Sequence, residues 1–176
     1  MSLELLEPHM WSLETLFKNI YRVPVYQRPY SWEKEQIDTL LKDIFNAFKS
    51  DTREGYYTGN IIVYDKNEKI EGHIAKYDII DGQQRIASFA LIMLAIYSIC
   101  YNLGVEENDR VLGNIKDSLW KYVERKYRKD LKTVELNSIE KDCFLNIYDI
   151  CFDNPKDALD IIKRLDIKSE FEKRII

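Results

Sequence analysis

The fold of this chain is decided by a short stretch, IDGQQR at residues 80–85. A strand-like run, AKYDII at residues 75–80, leads into it, and a long apolar segment follows it as far as Tyr101. This order predicts a β-strand, a glycine turn and a buried helix in direct succession. Asp81 stands three residues before Gln84, which is the spacing of a helix N-cap and its capping box.

Arg85 indicates that this junction binds an anion. The start of a helix carries partial positive charge, so an arginine in the first turn opposes the helix dipole. The placement becomes favourable if an anion lies between the free backbone N–H groups and the guanidinium. The sequence therefore predicts a phosphate site at the start of this helix.

Composition places the chain among ordinary soluble globular proteins. It has 176 residues, of which 45% are hydrophobic and 32% are charged, and a net charge of -4. That charge argues against broad, non-specific adhesion to DNA or to anionic membranes, but it leaves room for a local basic site. The three cysteines have no metal-ligand spacing, which predicts buried thiols in a reducing cytosol. They are Cys100, Cys143 and Cys151.

The apolar segment over residues 86–101 is predicted to be a core helix. It is short for a membrane span, and Ser88 and Ser98 interrupt it. The first ten residues lack the basic start of a secretory signal. We therefore expect a cytoplasmic protein with no membrane partner. Because the sequence stops within a helix predicted to open at Ser169, we also expect further chain after residue 176.

The first half of the chain predicts helices and a hairpin around the junction. A short helix over residues 12–20 precedes an extended, proline-containing segment, and Ser31 is predicted to cap a helix over residues 32–49. A strand over residues 55–64 precedes a turn at 65–68, or a longer polar excursion to Gly72, and a return strand then leads to Asp81. The predicted helix 32–49 has one apolar stripe at helical spacing. Its members are Ile37, Leu40, Leu41, Ile44, Phe45 and Phe48.

The second half is predicted to be mainly helical. We expect a core over residues 12–102 and a helical extension over residues 103–176. The segments of the extension are a helix from Asn108 or Asp109 to about Arg128, a strand over 131–136, a helix from Asn137 or Ser138 to Cys151, and a helix from Asn154-Pro155 to Leu165.

A second polar cluster, YQRPYSW at residues 26–32, precedes the predicted helix 32–49. Its aromatic side chains could stack on a base, at about 1–3 kcal/mol per base, or they could pack the helix. Arg28 could likewise bind an anion or form a structural ion pair. The aromatic residues are Tyr26, Tyr30 and Trp32.

A third cluster, YTGN at residues 57–60, contains a glycine in the predicted strand. Glycine in a strand marks close approach by a backbone or a ligand, or else a bulge. Farther on, a basic segment over residues 121–132 either faces DNA phosphates or forms the solvated face of a helix.

In this order and spacing, the clusters resemble the N-terminal domain of GmrSD-type modification-dependent restriction endonucleases, which carries a DGQQR signature. The resemblance extends over about residues 12–100 and rests on residues 24–32, Asp43 and Ile44, residues 56–59 and residues 81–85. It implies an α+β fold with a ParB/sulfiredoxin-like core of a small mixed sheet and helices, followed by a mainly helical part.

The resemblance implies a regulatory domain that binds, and is expected to hydrolyse, a nucleoside triphosphate with Mg²⁺. Such a domain licenses cleavage of modified foreign DNA in phage defence, and a downstream or separate HNH-type nuclease domain cuts it. His9 and His73 stand in no His–Asn–His context, so nuclease activity is not expected from this chain alone. The alternative is a ParB-like DNA-binding or modification-sensing module without hydrolysis.

The roles assigned at the junction follow the phosphate prediction. Gly82 would let the phosphate approach the backbone, and the N–H groups of Gln83 and Gln84 would cradle it. Arg85 would neutralise the β or γ phosphate, with Arg28 as a second clamp.

Further roles complete the predicted site. Asp81 would either bind Mg²⁺ through water or only cap the helix. Gln83 or Gln84 would orient the attacking water, although the capping box competes for Gln84. Gln27 and Ser88 would contact the nucleotide. The family shows a Leu-Thr-Thr-Leu-like run after the arginine, whereas this chain has IASF at residues 86–89, which supports binding better than hydrolysis.

Overall fold

A small mixed sheet of four strands, in the order β2-β3-β1-β6, organises the computed structural model, which describes residues 8–50, 55–106, 108–136 and 141–165. In chain order the elements are α1 (Leu13–Leu16), β1 (Ile20–Val23), α2 (Lys34–Lys49), β2 (Ile62–Ile70), β3 (Ile74–Asp81), α3 (Gln83–Asn102), α4 (Arg110–Leu119), β4 (Trp120–Val123), β5 (Lys126–Lys132), β6 (Val134–Leu136), α5 (Lys141–Asp153) and α6 (Ala158–Arg164).

The sheet combines parallel and antiparallel pairs. β1 lies in the middle and is parallel to both β3 and β6, so that Tyr21 stands beside Tyr77 and Val134. β2 pairs antiparallel with β3, and β4 and β5 form a separate two-stranded sheet. The α+β class with a small mixed sheet is therefore confirmed.

The apolar helix α3 lies in the core. Ile86, Phe89 and Leu94 are buried in one cluster that also contains Trp120 and Tyr148. By length and composition α3 could cross a membrane, but half of its apolar window is buried inside this fold. That burial accounts for its composition and agrees with a soluble protein.

The start of α2 differs from the prediction. Glu33, not Ser31, is the N-cap, and it forms a capping box with Gln36. The Ser31 N–H instead donates to the side chain of Gln84. The apolar stripe is also only partly covered, because Leu40 is buried while Phe45 is 56% and Phe48 is 84% exposed.

The predicted boundaries of the hairpin before α3 were wrong. Residues 55–61 form no strand, and β2 continues through the predicted turn at 65–68. There Asp65 accepts a hydrogen bond from the N–H of Asn67, which has φ +59 and produces a bulge rather than a reversal. The chain reverses only at residues 71–73, which agrees with the longer polar excursion to Gly72.

The segment after α4 also differs. α4 starts after its N-cap Asp109, as predicted, but it ends at Leu119 rather than near Arg128. The following hairpin reverses at Glu124 and Arg125, whose φ values of +51 and +63 suit a tight hairpin turn. α5 confirms the helix predicted there, and the predicted strand over residues 131–136 is divided at Thr133 between the end of β5 and β6.

The last described helix starts late. α6 has Asp157 as its N-cap, so the predicted cap and first-turn pair Asn154-Pro155 precedes it. The predicted caps Asn137 and Ser138, and the helix from Ser169, lie outside the described residues.

The basic segment over residues 121–132 is neither a helix face nor a free cationic stripe. Lys121 and Lys132 are buried, and Lys132 pairs with Asp149. Lys129 pairs with Asp153, and Arg128 with Asp130. Pairing within the domain thus uses much of the charge that could have faced DNA.

Candidate functional site

The junction between β3 and α3 leaves the start of the helix without a side-chain cap. Asp81 is the last residue of β3, and the N-cap position belongs to Gly82, with φ +91. The predicted capping role of Asp81 is therefore wrong. Among the described residues no side-chain cap accepts from the first turn, so the N–H groups of Gln83, Gln84 and Arg85 have no capping side chain there.

Gln84 clamps the preceding loop instead of closing a capping box. Its Oε1 accepts from the N–H groups of Ser31, at 2.6 Å, and Trp32, at 3.2 Å. Its Nε2 donates to the carbonyl of Pro29 at 2.9 Å. With both amide atoms engaged and only 5% of the residue exposed, Gln84 cannot orient an attacking water in this structure.

Two further glutamines fasten the same loop to the junction. Gln83 donates from Nε2 to the carbonyl of Arg28 at 2.8 Å, and Gln27 donates from Nε2 to the carbonyl of Ile80 at 2.8 Å. Gln83 is buried, and its Oε1 has no hydrogen-bond partner among the described residues. Burial therefore argues against a water-orienting role for Gln83 as well.

Two of the three aromatic side chains of the loop pack inside the fold, and the third is exposed to solvent. Tyr30 is buried, its hydroxyl lies 2.7 Å from Ser88 Oγ, and burial raises the pKa of this phenol. Ser88 is fully buried and donates to the carbonyl of Gln84, so it cannot reach a phosphate as predicted. Trp32 packs against the core, whereas Tyr26 is 75% exposed. Base stacking by Tyr30 is therefore contradicted, whereas the ring of Tyr26 is exposed to solvent.

Arg85 lies against the loop before β2. Its Nη1 donates to the carbonyl of Asn60 at 2.7 Å. A Cβ at Gly59, which has φ +97, would lie 2.7 Å from the Cζ of Arg85. Gly59 thus permits close approach, as predicted, but the group that approaches is the guanidinium of Arg85.

Gly82 has a packing role that the sequence did not indicate. A Cβ at this position would lie 3.0 Å from Cγ1 of Ile61 and 3.1 Å from the carbonyl oxygen of Asn60. The glycine therefore admits protein backbone, not a phosphate, on this side of the turn.

Two hydrogen-bonded pairs of polar side chains lie near Arg85, and one of them joins the loop before β2 to α2. The Tyr56 hydroxyl donates to Oδ2 of Asp43 at 3.0 Å, and the Tyr57 hydroxyl donates to Oδ1 of Asn60. Loss of hydration raises the pKa of Tyr56, the Asp43 carboxylate raises it further, and the Arg85 guanidinium opposes both. Residue-by-residue reasoning missed Asp43 and Tyr56; only their presence in the family resemblance marked them.

Two arginines and the carboxylate of Asp81 belong to the loop and the turn at this junction. Arg28 is exposed and Arg85 is half-buried, and neither forms an ion pair with a carboxylate in the part of the chain that the structure describes. Asp81 is exposed at the end of β3. In the same part of the chain, no group of three His, Cys, Asp or Glu side chains is placed to hold a metal by itself.

Together, the fold and the junction define a small α+β domain in which a strand–glycine–helix turn is fastened to an arginine-bearing loop. The model of the family "GmrSD restriction endonuclease, N-terminal domain" matches residues 13–175, and the chain belongs to this family. The family indicates a role in a restriction system. Comparison with curated proteins gives no match.

Proposed function

We propose that this chain is the nucleotide-binding regulatory domain of a modification-dependent restriction system in phage defence. The phosphates of a nucleoside triphosphate would bind at the start of α3. The observation that carries the proposal is a helix start without a side-chain cap, beside two arginines that have no carboxylate partner among the described residues. Backbone N–H donors and guanidinium groups in this arrangement favour a phosphate.

The contacts of Arg85 support its role as a phosphate ligand. Its Nη1 is held by the carbonyl of Asn60, which orients the guanidinium. A carbonyl does not neutralise the guanidinium, so an incoming anion would still gain the full charge interaction. The backbone of Arg28 lies close to the start of α3, because its carbonyl accepts from Gln83 in the first turn of this helix.

Mg²⁺ fits this site only as a partner of the nucleotide. Mg²⁺ commonly binds through one or two carboxylates, phosphate oxygens and water. Asp81 is the exposed carboxylate at the junction. Asp43, on α2, is joined to the loop before β2 by the hydrogen bond that it accepts from Tyr56. When bound, the metal would neutralise phosphate charge.

Binding is better supported than hydrolysis. Both amide atoms of Gln84 are engaged with the loop, and Gln83 is buried. Ala87, at a position where the family carries a hydroxyl, is also buried. We therefore expect slow turnover of bound nucleotide.

The test is calorimetric titration of each nucleoside triphosphate with Mg²⁺ into wild type, Arg85→Met and Arg28→Met. Losing one charge-assisted phosphate contact should weaken binding by about tenfold or more, or about 1.5–3 kcal/mol. Arg110→Met is the matched control, because Arg110 is exposed in the first turn of α4, a helix that Asp109 already caps. Equal binding by Arg85→Met and Arg110→Met would contradict the proposed site.

A second function, DNA binding without hydrolysis, is favoured by one observation. The ring of Tyr26 is exposed to solvent two residues before Arg28. A base could therefore stack on Tyr26 while its phosphate binds Arg28. If Tyr26→Ala and Arg28→Met weaken binding of modified DNA and leave nucleotide affinity unchanged, this second function holds.

A further inference from the structure

A groove of about 500 Å³ lies where the β4–β5 hairpin meets the main sheet. The segment between α1 and β1, the β2–β3 turn, α4 and the hairpin all contribute to its walls. Its volume falls within the range of roughly 300–1,000 Å³ that holds small ligands. The polar and aromatic residues that matter are Lys18, His73, Asp117, Lys121, Tyr122 and Tyr127. None of them belongs to the junction at the start of α3.

Lys121 is a lysine side chain buried in the wall of this groove. Only 3% of it is exposed, and its Nζ donates to the carbonyl of Phe17. Within the described ranges it forms no ion pair. Burial lowers the pKa of Lys121 to about 7, and Asp117 opposes that shift. Asp117 itself accepts a hydrogen bond from the Tyr127 hydroxyl at 2.6 Å.

The other buried lysine of the hairpin, Lys132, has a carboxylate partner, which Lys121 lacks among the described residues. Lys132 is 6% exposed, and its Nζ lies 2.9 Å from Oδ1 of Asp149 and 2.8 Å from the carbonyl of Lys129. Burying an ammonium is costly unless an opposite charge accompanies it. Lys132 has that charge within the fold, whereas Lys121 faces a groove.

Further donors surround the groove. The side chain of Lys18 is 67% exposed and reaches Glu14 only at 3.8 Å. His73 is exposed in the β2–β3 turn, where Nδ1 contacts the carbonyl of Glu71. Tyr122 is 54% exposed, and its ring packs edge-on against Tyr127.

We propose that this groove binds a phosphate group, with the Lys121 ammonium at its base and with Lys18 and His73 at its rim. A phosphate group carries up to two negative charges and three acceptor oxygens, which match three donors better than a carboxylate does. The Tyr122 ring provides a face for the base of the same ligand. A free nucleotide and a phosphorylated DNA end present the same group.

The test is an NMR titration of backbone amides in the full chain with inorganic phosphate, a nucleoside monophosphate and a 5′-phosphorylated DNA oligonucleotide. Shifts are expected at Lys18, His73, Lys121 and Tyr122. Lys121→Met should weaken the affinity by at least tenfold. Tighter binding of the monophosphate identifies a nucleotide as the ligand, and tighter binding of the oligonucleotide identifies a DNA end.

Two matched variants separate this groove from other sites. Lys126→Met removes an exposed lysine from the same hairpin and should leave binding unchanged. Arg85→Met should weaken binding at α3 but leave the groove shifts intact, so failure of the function proposed above would be seen separately. Shifts absent from the groove, or equal affinities of Lys121→Met and Lys126→Met, would overturn the proposal.

Discussion

At the scale of single residues, two glycines separate backbone strain from steric contact. Gly72 has φ +74 with open space around it, whereas Gly82 has φ +91 and lies against residues 60–61. Gly72→Ala should cost about 1 kcal/mol of unfolding free energy from strain alone. Gly82→Ala should cost about 2–3 kcal/mol, because the loop before β2 must also shift. Urea unfolding of both variants measures the difference; equal costs would mean that the loop yields freely.

Lys121 should make stability depend on pH. The folded protein binds a proton there only below about pH 7, whereas a lysine in the unfolded chain binds one below its ordinary pKa of 10.5. Between these values the unfolded state binds more protons, so stability should rise as pH rises and level off below 7. Lys121→Met should therefore stabilise the fold by about 4 kcal/mol at pH 7 and by progressively less toward pH 10.

Urea unfolding at several pH values in phosphate-free buffer measures this dependence, since a bound anion would mask it. Lys126→Met again serves as the control and should follow the wild-type profile. A gain at pH 7 that persists unchanged at pH 10 would mean that Lys121 is not held neutral by burial.

At the scale of elements, the loop over residues 26–32 is held on α3 mainly by one amide. Gln84→Ala leaves the N–H groups of Ser31 and Trp32 and the carbonyl of Pro29 without partners. Leaving part-buried backbone groups unpaired should cost about 2–4 kcal/mol. Hydrogen exchange at Ser31 and Trp32 should accelerate.

Gln36→Ala is the control for this prediction. It removes an exposed glutamine whose side chain accepts from Glu33 at the start of α2, where a capping residue contributes about 1 kcal/mol. If Gln84→Ala cost no more than Gln36→Ala, the loop would have to be held by Gln27, Gln83 and Tyr30 alone.

The elements that sequence predicted well are those set by local pattern. The succession of β3, Gly82 and α3 follows from a strand-like run, a glycine and a continuous apolar segment, and α5 follows from its own periodicity. The capping box failed because Gln84 binds residues more than fifty positions away, which no local spacing reveals. The β4–β5 hairpin was missed because Glu124 and Arg125 adopt positive φ without glycine or asparagine as a signal.

The same contrast applies to the candidate site. Arg85 and Arg28 were predicted from their types and positions; Arg85 lies in the first turn of α3, and the backbone carbonyl of Arg28 accepts from Gln83 in the same turn. The roles of Ser88 and Tyr30 were misassigned because hydroxyls suited to a phosphate or a base also suit each other in a core. Burial, which decides between these uses, comes from the tertiary packing.

At the scale of the whole molecule, the segments before and after residue 102 share one core. β6 supplies an edge strand of the main sheet, and Val134 stands beside Tyr21. Trp120 packs against Tyr97 of α3, with ring centroids 5.5 Å apart, and against Tyr148 at 5.8 Å. A single cooperative unfolding transition is therefore expected for the domain.

This sharing predicts that a fragment ending at residue 102 does not fold by itself. Without Trp120 and β6, the buried faces of Tyr97 and Tyr21 would meet water, and removing large aromatic contacts costs about 3–5 kcal/mol each. That loss is comparable to the whole stability of a small domain. Near-ultraviolet circular dichroism should show no fixed aromatic environment in the fragment, and heating should give no cooperative transition, while the full chain shows both. A cooperative transition in the fragment would instead establish residues 12–102 as an independent core.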